Sequence, residues 1–205
     1  MSKKPIIVFE GIEGSGKSHH INKVSKYLDK KKISFIKIRE PGGNRNSELI
    51  RKLILNRKNK FNSFTDLMLY LAARSENIDK IIKKNYNKKI ILIDRFTDST
   101  IAYQHYGMGL NKVLIQYINK TLLKNIKPRI VFLNIVNMKN LKNRLSMRKN
   151  KNRYDRFKIN FYKKVQNGFL KMSKNKKNYI VINSNKNLLE NKNFVLNKII
   201  KTINK

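Results

Sequence analysis

The 205-residue chain is long enough to bury a core, and its 40% of apolar residues suffices for a packed globular fold. It contains no cysteine, which excludes disulfides, thiolate metal sites and cysteine nucleophiles. Lysine and arginine number 48 against 12 acidic residues, giving a net charge of +36. A field of this sign attracts anionic ligands.

The charge has two interpretations. It could mark a nucleic-acid-binding surface, or it could reflect AT-rich codon usage, because lysine, asparagine and isoleucine dominate the chain. The cations are spread over the whole sequence rather than gathered in one arm. No apolar run approaches the ~20 residues of a membrane span, and no signal sequence is evident. We therefore expect a cytoplasmic protein that needs neither membrane nor nucleic acid.

Apolar runs alternate with amphipathic stretches along the chain. The predicted strands are residues 5–10, 33–38, 89–93, 129–135 and 178–182. Helices are expected at about 17–30, 46–57, 62–84, 97–104, 111–124, 138–148 and 157–174, with one more at the C-terminus. Residues 149–156 are polar and expected to be mobile.

Strands that are apolar throughout and separated by helices indicate a parallel sheet covered on both faces. We find no internal repeat and no second core in the pattern. The prediction is one α/β domain over residues 1–205, with three layers, a central five-stranded parallel sheet and a short mobile lid.

A phosphate-binding loop follows the first strand. The sequence there matches G-x-x-x-x-G-K-[ST] through residues Gly11, Ile12, Glu13, Gly14, Ser15, Gly16, Lys17 and Ser18. Backbone N–H groups of such a loop surround a phosphate, and the following helix N-terminus adds positive charge. We expect Lys17 to reach the β- and γ-phosphates of ATP and Ser18 to bind Mg²⁺.

Asp94 and Arg95 come directly after the third strand. The carboxyl end of a strand beside a phosphate-binding loop faces the nucleotide. Asp94 is therefore a candidate Mg²⁺ ligand, and Arg95 a candidate phosphate clamp. A phosphate-binding loop alone would also suit a GTPase, a helicase or a transporter, so the acceptor has to be inferred from the other motifs.

Over nearly its whole length the chain resembles the thymidylate kinase family. The motifs that carry the resemblance are FEGIEGSGKS at 9–18, REPGG at 39–43, LYLAAR at 69–74, DRFTDSTIAYQ at 94–104 and YDRF at 154–157. The resemblance implies transfer of the γ-phosphate of ATP to dTMP with Mg²⁺, giving dTDP, by a P-loop nucleoside monophosphate kinase that forms a homodimer.

The resemblance also assigns acceptor-site roles. It places Arg74 and Arg95 on the acceptor phosphate and Arg39 in the same pocket. Glu13 would lie near the 3′-hydroxyl of the sugar. The residues that would contact the base and the 2′ position are Tyr70, Thr100, Tyr103 and Gln104. Bidentate guanidinium groups suit a dianionic phosphate, and a flat ring suits a pyrimidine face.

Four arginines crowd the lid segment (residues 144–156), namely Arg144, Arg148, Arg153 and Arg156. The phosphate-binding loop has no arginine between Ile12 and Ser15. Thymidylate kinases of that kind supply the arginine from the lid, where it can stabilise the charge of the transition state. We select Arg148 and Arg153 as the candidate catalytic arginines.

The chain departs from the family pattern at three positions. His19 stands where a second hydroxyl usually follows the loop, Tyr70 stands where a phenylalanine is usual, and Lys158 stands where an acid often follows the lid motif. His19 could replace the lost hydroxyl at the α-phosphate through a ring nitrogen. The hydroxyl of Tyr70 needs a polar partner.

Alternative functions remain at this point. Another P-loop kinase, acting on a different monophosphate or on a nucleoside, would share the loop but not the base-contacting residues. A nucleic-acid-binding ATPase would use the positive charge, and would show salt-dependent binding and stimulated hydrolysis. A protein that has lost its activity is the third alternative, which the intact loop and Asp94-Arg95 oppose.

Overall fold

The computed structural model describes residues 4–174 and 176–204, so residues 1–3, which precede the first predicted strand, lie outside it. Its centre is a five-stranded sheet in the order β2-β3-β1-β4-β5, with all neighbours parallel. The strands are β1 (Ile6–Glu10), β2 (Phe35–Arg39), β3 (Ile90–Asp94), β4 (Ile130–Ile135) and β5 (Tyr179–Asn183). The predicted fold class is confirmed.

Helices connect the strands. They are α1 (Lys17–Lys30), α2 (Arg45–Leu55), α3 (Ser63–Asn77), α4 (Lys83–Asn85), α5 (Thr97–Thr100), α6 (Lys112–Leu123), α7 (Met138–Ser146), α8 (Ile159–Ser173) and α9 (Leu188–Ile203). Within the described residues, no helix is long and apolar enough to cross a bilayer.

Asparagine, abundant in this sequence, begins many of the helices. In each case the side-chain oxygen accepts a backbone N–H of the first turn, which satisfies a donor that the helix leaves free. The asparagines that do so are Asn44, Asn62, Asn111, Asn137 and Asn187. The unusual composition is therefore compatible with well-formed helix ends.

Strands β1 and β4, at the middle of the sheet, are buried on both faces, as their apolar sequences predict. On one face Phe9 stacks on Phe132, with ring centroids 5.3 Å apart, and packs with Val24 of α1 and Val195 of α9. On the other face Val8 packs in a second cluster with residues from β3 and from the segment 78–82, which follows α3. This arrangement holds the carboxyl ends of β1 and β3 side by side.

Two predicted helices change character part of the way along. The predicted helix 62–84 continues after α3 as a π-helical segment (Ile78–Ile82) before α4, and the predicted helix 97–104 becomes π-helical at Ile101–Gly107. Such segments are common near functional sites. In the lid segment, a 3₁₀ turn at Arg153–Arg156, here called the lid turn, lies within the predicted polar stretch 149–156.

Candidate active site

The phosphate-binding loop closes between β1 and α1. Gly11 has φ +133°, and a Cβ there would lie 2.2 Å from the carbonyl oxygen of Asn134, so no other residue fits. The Lys17 ammonium donates to the carbonyls of Gly11 (3.0 Å) and Ile12 (2.9 Å). Burial, with the charge of Arg95, lowers the pKa of Lys17 to about 8. Lys17 is thus fixed inside the loop, beside the N-terminus of α1.

A cavity of about 600 Å³ opens from this loop across the carboxyl ends of the strands. The predicted site residues that line it are Glu13, Gly14, Gly16, Lys17, Ser18, Arg39, Tyr70, Arg74, Asp94, Arg95, Thr100, Tyr103, Gln104 and Arg148. Gly11, Ile12, Ser15 and Arg153 were also predicted site residues, but they do not line the cavity. Motifs from five parts of the sequence therefore meet at one place.

Arg95 lines the cavity and comes directly after β3. Its backbone has φ +65°, which is uncommon for a residue with a side chain. The guanidinium donates to the carbonyl of Gly11 (2.8 Å) and to Glu13 Oε1 (2.9 Å), and lies 5.0 Å from the centre of the Tyr103 ring. Although burial opposes its charge, Tyr103, Glu13 and Asp94 together raise the pKa of Arg95. Arg95 is therefore a fixed cation.

Arg74 reaches the cavity from α3 and is only 2% exposed. It donates to Glu40 Oε2 (2.7 Å), Asn119 Oδ1 (2.7 Å) and the carbonyl of Phe96 (3.0 Å). Arginine has five N–H donors, so these three bonds leave others for a ligand. The contacts hold the guanidinium in one orientation.

Polar atoms without partners mark one end of the cavity. Thr100 Oγ1 and Gln104 Nε2 are buried and have no hydrogen-bond partner among the described residues. The Tyr103 hydroxyl donates to Glu13 Oε2. Burial raises the pKa of Tyr70 to about 12, so Tyr70 stays neutral. This end offers a flat ring and free hydrogen-bonding groups, which suit a polar heterocycle.

Asp94 and Ser18 form a candidate Mg²⁺ site. Ser18 Oγ lies 3.4 Å from Asp94 Oδ2, and Asp94 Oδ1 is buried with no hydrogen-bond partner in the described part of the chain. No group of three or more Asp, Glu, His or Cys side chains suited to a metal occurs among residues 4–174 and 176–204. One carboxylate and one hydroxyl fit Mg²⁺, which takes its other ligands from water and phosphate.

The four arginines of the lid segment point to different places. Arg144 donates to the carbonyls of Gly14 (2.7 Å) and Ser184 (2.9 Å), and Arg148 pairs with Asp155. Both line the cavity. Arg153 instead donates to Asp66 on α3 (2.6 Å), and Arg156 is exposed. Of the two predicted catalytic arginines, only Arg148 is at the cavity.

Two charged groups outside the lid segment, Glu40 and Arg51, line the cavity but were not predicted as site residues. Glu40 belongs to the REPGG motif, yet only Arg39 of that motif was selected. Arg51 lies on α2 beside the REPGG turn (residues 39–43), where it donates to the carbonyl of Pro41 (2.7 Å). Position in the motif could have identified Glu40. Nothing local in the sequence distinguishes Arg51 from the many other cations.

A third missed group, Glu10, lies behind the cavity at the end of β1. It accepts hydrogen bonds from the backbone N–H groups of Phe96 (2.8 Å) and Ser99 (3.2 Å) and from the Ser99 hydroxyl. Burial and the nearby charge of Asp98 raise the pKa of Glu10 to about 7. Glu10 thus ties down the segment that follows Arg95.

The fold and site together define a class of protein. P-loop kinases with a small anionic acceptor combine a phosphate-binding loop, a Mg²⁺ site and cationic side chains around the acceptor. This cavity brings together the loop, the candidate Mg²⁺ pair and several arginines. The sequence profile described as thymidylate kinase matches residues 9–195. The chain belongs to the thymidylate kinase family.

Individual relatives agree with this family assignment. The chain is 36% identical over 202 residues to the thymidylate kinase of Mycoplasma capricolum, covering 96% of this chain and 93% of the relative. It is 37% identical over 187 residues to that of Sulfurihydrogenibium, covering 90% and 91%. The crystal structure of thymidylate kinase from Ehrlichia chaffeensis superimposes with a TM-score of 0.77 at 32% identity, covering all of both chains.

Proposed function

We propose that this protein transfers the γ-phosphate of ATP to dTMP by in-line displacement, giving dTDP and ADP. The observation that carries the proposal is that one cavity is lined by the phosphate-binding loop, by Arg74 and Arg95, and by the ring and polar side chains near Tyr70. The acceptor phosphate is already anionic near neutral pH, so the protein needs to position it and neutralise charge rather than remove a proton.

In the donor half, the backbone of residues 11–16 surrounds the ATP phosphates and Lys17 contacts the β- and γ-phosphates. Ser18 and Asp94 would hold Mg²⁺, which when bound neutralises charge on the β- and γ-phosphates. His19 lines the cavity, and its Nε2 is buried without a hydrogen-bond partner in the described residues. We assign His19 to the α-phosphate in place of a hydroxyl.

In the acceptor half, Arg74 and Arg95 hold the phosphate of dTMP, with Arg39 and Arg51 at the same end of the cavity. Glu13 and Tyr103 line the site of the sugar. The Tyr70 ring stacks on thymine, while Thr100 and Gln104 hydrogen-bond to its edge. This assignment explains why polar atoms of Thr100 and Gln104 lack partners within the described protein.

Arg148 is the lid arginine that we assign to the transferred phosphoryl group. It is 41% exposed at its side chain and lines the cavity, so it can approach a ligand from the solvent side. Arg144 lines the same wall beside Gly14 and Ser184. Arg153, held by Asp66, is not assigned to the phosphoryl group.

ADP release tests the substrate. The enzyme is incubated with ATP, Mg²⁺ and each nucleoside monophosphate in turn, with thymidine and single-stranded DNA as controls. We expect strong release with dTMP. Strong release with another monophosphate instead would refute the base pocket but keep the chemistry. Release stimulated by DNA alone would favour a nucleic-acid-dependent ATPase.

We also propose that residues 1–205 act as one kinase domain and that the protein works in the cytoplasm, where ATP and dTMP are available. The protein should further form a homodimer. Large apolar side chains are exposed on neighbouring helices: Leu49 and Leu53 on α2, Phe64 and Met68 on α3, and Val113 and Tyr117 on α6. A patch of this kind supports self-association.

The dimer has its own test. Leu53→Glu should convert a dimer into a monomer in light scattering, because a charge would be buried in the apolar interface. The matched control is Leu189→Glu on α9, where the leucine is also exposed (59%, against 48% for Leu53) but belongs to another surface. A wild-type monomer, or a Leu53→Glu dimer, would contradict the proposed interface.

A further inference from the structure

Asp66 is a buried acid that the proposed reaction does not use. It lies in the first turn of α3 and is 3% exposed. Tyr70 follows four residues later and Arg74 eight residues later, so all three lie along one side of the helix. The side of α3 that faces the acceptor therefore also carries a carboxylate, away from the reacting groups.

One carboxylate binds two successive residues of the lid turn. Arg153 Nη2 donates to Asp66 Oδ1 at 2.6 Å, and the Tyr154 hydroxyl donates to Asp66 Oδ2 at 3.3 Å. The Arg153 guanidinium also lies 5.8 Å from the centre of the Phe61 ring, just before α3. An acid that served only the helix N-terminus would have no need of these partners.

The next residue of the turn connects this attachment to the cavity. Asp155 has a fully buried side chain, pairs with Arg148 and accepts the backbone N–H of Asn152 at 2.9 Å. Arg148 lines the cavity and is the lid arginine that we assign to the transferred phosphoryl group. The position of Arg148 thus depends on where the lid turn lies.

Tyr154 makes the second connection. Its ring is 2% exposed and packs edge-on against Tyr70 at 6.0 Å and Tyr103 at 5.9 Å. These are the rings that we assign to the base and the sugar of the acceptor. The lid turn therefore contacts both the acceptor pocket and the lid arginine.

We propose that Asp66 is a positioning residue that anchors the lid turn on α3 and so holds Arg148 at the cavity for phosphoryl transfer. The catalytic part of this inference rests on the proposed function, whereas the anchoring part rests only on the contacts above. Removing one partner of a buried ion pair leaves the other uncompensated. Loss of the Asp66 charge should therefore release Arg153 toward solvent and loosen the turn.

The test uses Asp66→Asn, which keeps the shape and removes the charge. The matched control is Asp79→Asn on the extension of α3, where the aspartate is 58% exposed and pairs with Lys80 and Lys83. Hydrogen exchange is measured for peptides covering residues 148–157, and kcat and KM are measured for dTMP and ATP. We expect exchange about tenfold faster or more in Asp66→Asn and unchanged in Asp79→Asn.

For the same variant we expect kcat to fall by about 10- to 100-fold, because the displaced arginine acts on the transition state. The KM for ATP should stay within about threefold of wild type, because the phosphate-binding loop is not part of the lid turn. Arg153→Gln should reproduce both the faster exchange and the lower kcat without altering α3. Arg153→Lys should have largely the exchange rate and the kcat of wild type. The double variant should be no worse than either single variant.

The outcomes are distinguishable. Unchanged exchange of residues 148–157 in both Asp66→Asn and Arg153→Gln would refute the anchor. Faster exchange with unchanged kcat would refute its positioning role. If the wild type does not phosphorylate dTMP, the proposed function fails, while hydrogen exchange still decides whether Asp66 anchors the turn. Arg153→Gln decides the question if Asp66→Asn does not fold.

Discussion

At the scale of single residues, Arg95 combines an uncommon backbone conformation with fixed contacts. Its φ of +65° follows directly after β3, and its guanidinium is held by Gly11 and Glu13. Strained backbone at such a position persists only where the surroundings impose it. The conformation turns the side chain into the cavity, close to the phosphate-binding loop.

Arg95→Ala should lower kcat/KM for dTMP by about 10²- to 10⁴-fold, since it removes a preorganised cation from the acceptor phosphate. Arg57→Ala, at an exposed arginine two residues after α2, serves as the control and should stay near wild type. Steady-state kinetics of both variants provide the measurement. A value for Arg95→Ala within a few-fold of wild type would contradict the clamp.

Glu10 makes the stability depend on pH. Its pKa is about 7 in the folded protein against 4.5 for the free side chain, so the folded state holds a proton that the unfolded state releases. The free energy of unfolding should therefore fall as pH rises from about 4.5 to 7, by up to about 3 kcal/mol. Below that range both states are protonated, and above it both are ionised.

Glu10→Gln should remove this contribution to the pH dependence. The measurement is urea unfolding of wild type and variant at several pH values between 4.5 and 8. Glu190→Gln, at an exposed glutamate of α9, controls for the loss of one carboxylate. Parallel curves for wild type and Glu10→Gln would show that Glu10 does not carry the proton.

At the scale of elements, α3 brings together the acceptor contacts and the lid anchor. Tyr70→Ala should raise the KM for dTMP by about 10-fold or more through the lost stacking surface. Tyr70→Phe should change it by less than about threefold, because the ring remains. The KM for ATP should move little in either variant. Equal effects of the two substitutions would place the base away from Tyr70.

Local signals predicted some elements and not others. The phosphate-binding loop and Asp94-Arg95 could be found because each follows a buried apolar strand within a few residues. The contacts of Arg153 with Asp66, and of Arg74 with Glu40 and Asn119, join residues 34 to 87 positions apart. No periodicity encodes such pairs, so the contact of Arg153 with Asp66 could not be predicted from the sequence.

The π-helical segments were missed for a related reason. Residues 97–104 carry a helical pattern. The change to a π-helix at Ile101–Gly107 depends on tertiary packing, such as that of Tyr103 against Tyr154, Phe161 and Phe169. The helix was therefore predicted, but its widened turn was not. This widening lies in the stretch that presents Tyr103 and Gln104 to the cavity.

At the scale of the whole molecule, the net charge of +36 surrounds a site built for phosphates. A positive field increases the rate at which anions arrive, and salt screens it. The kcat/KM for dTMP should therefore fall several-fold between about 50 and 500 mM NaCl, while kcat changes less. Initial rates at both salt concentrations test this, and an increase in kcat/KM with salt would contradict it.

The γ-phosphoryl group of ATP should pass to dTMP within this cavity. The most direct measurement incubates the protein with ATP, dTMP and Mg²⁺ and separates the nucleotide products by chromatography. We predict dTDP and ADP in equal amounts, and initial rates for both that are at least about 100-fold lower in Arg95→Ala. Formation of ADP without dTDP would contradict this reaction. So would ADP formation that Arg95→Ala leaves unchanged or that added DNA increases.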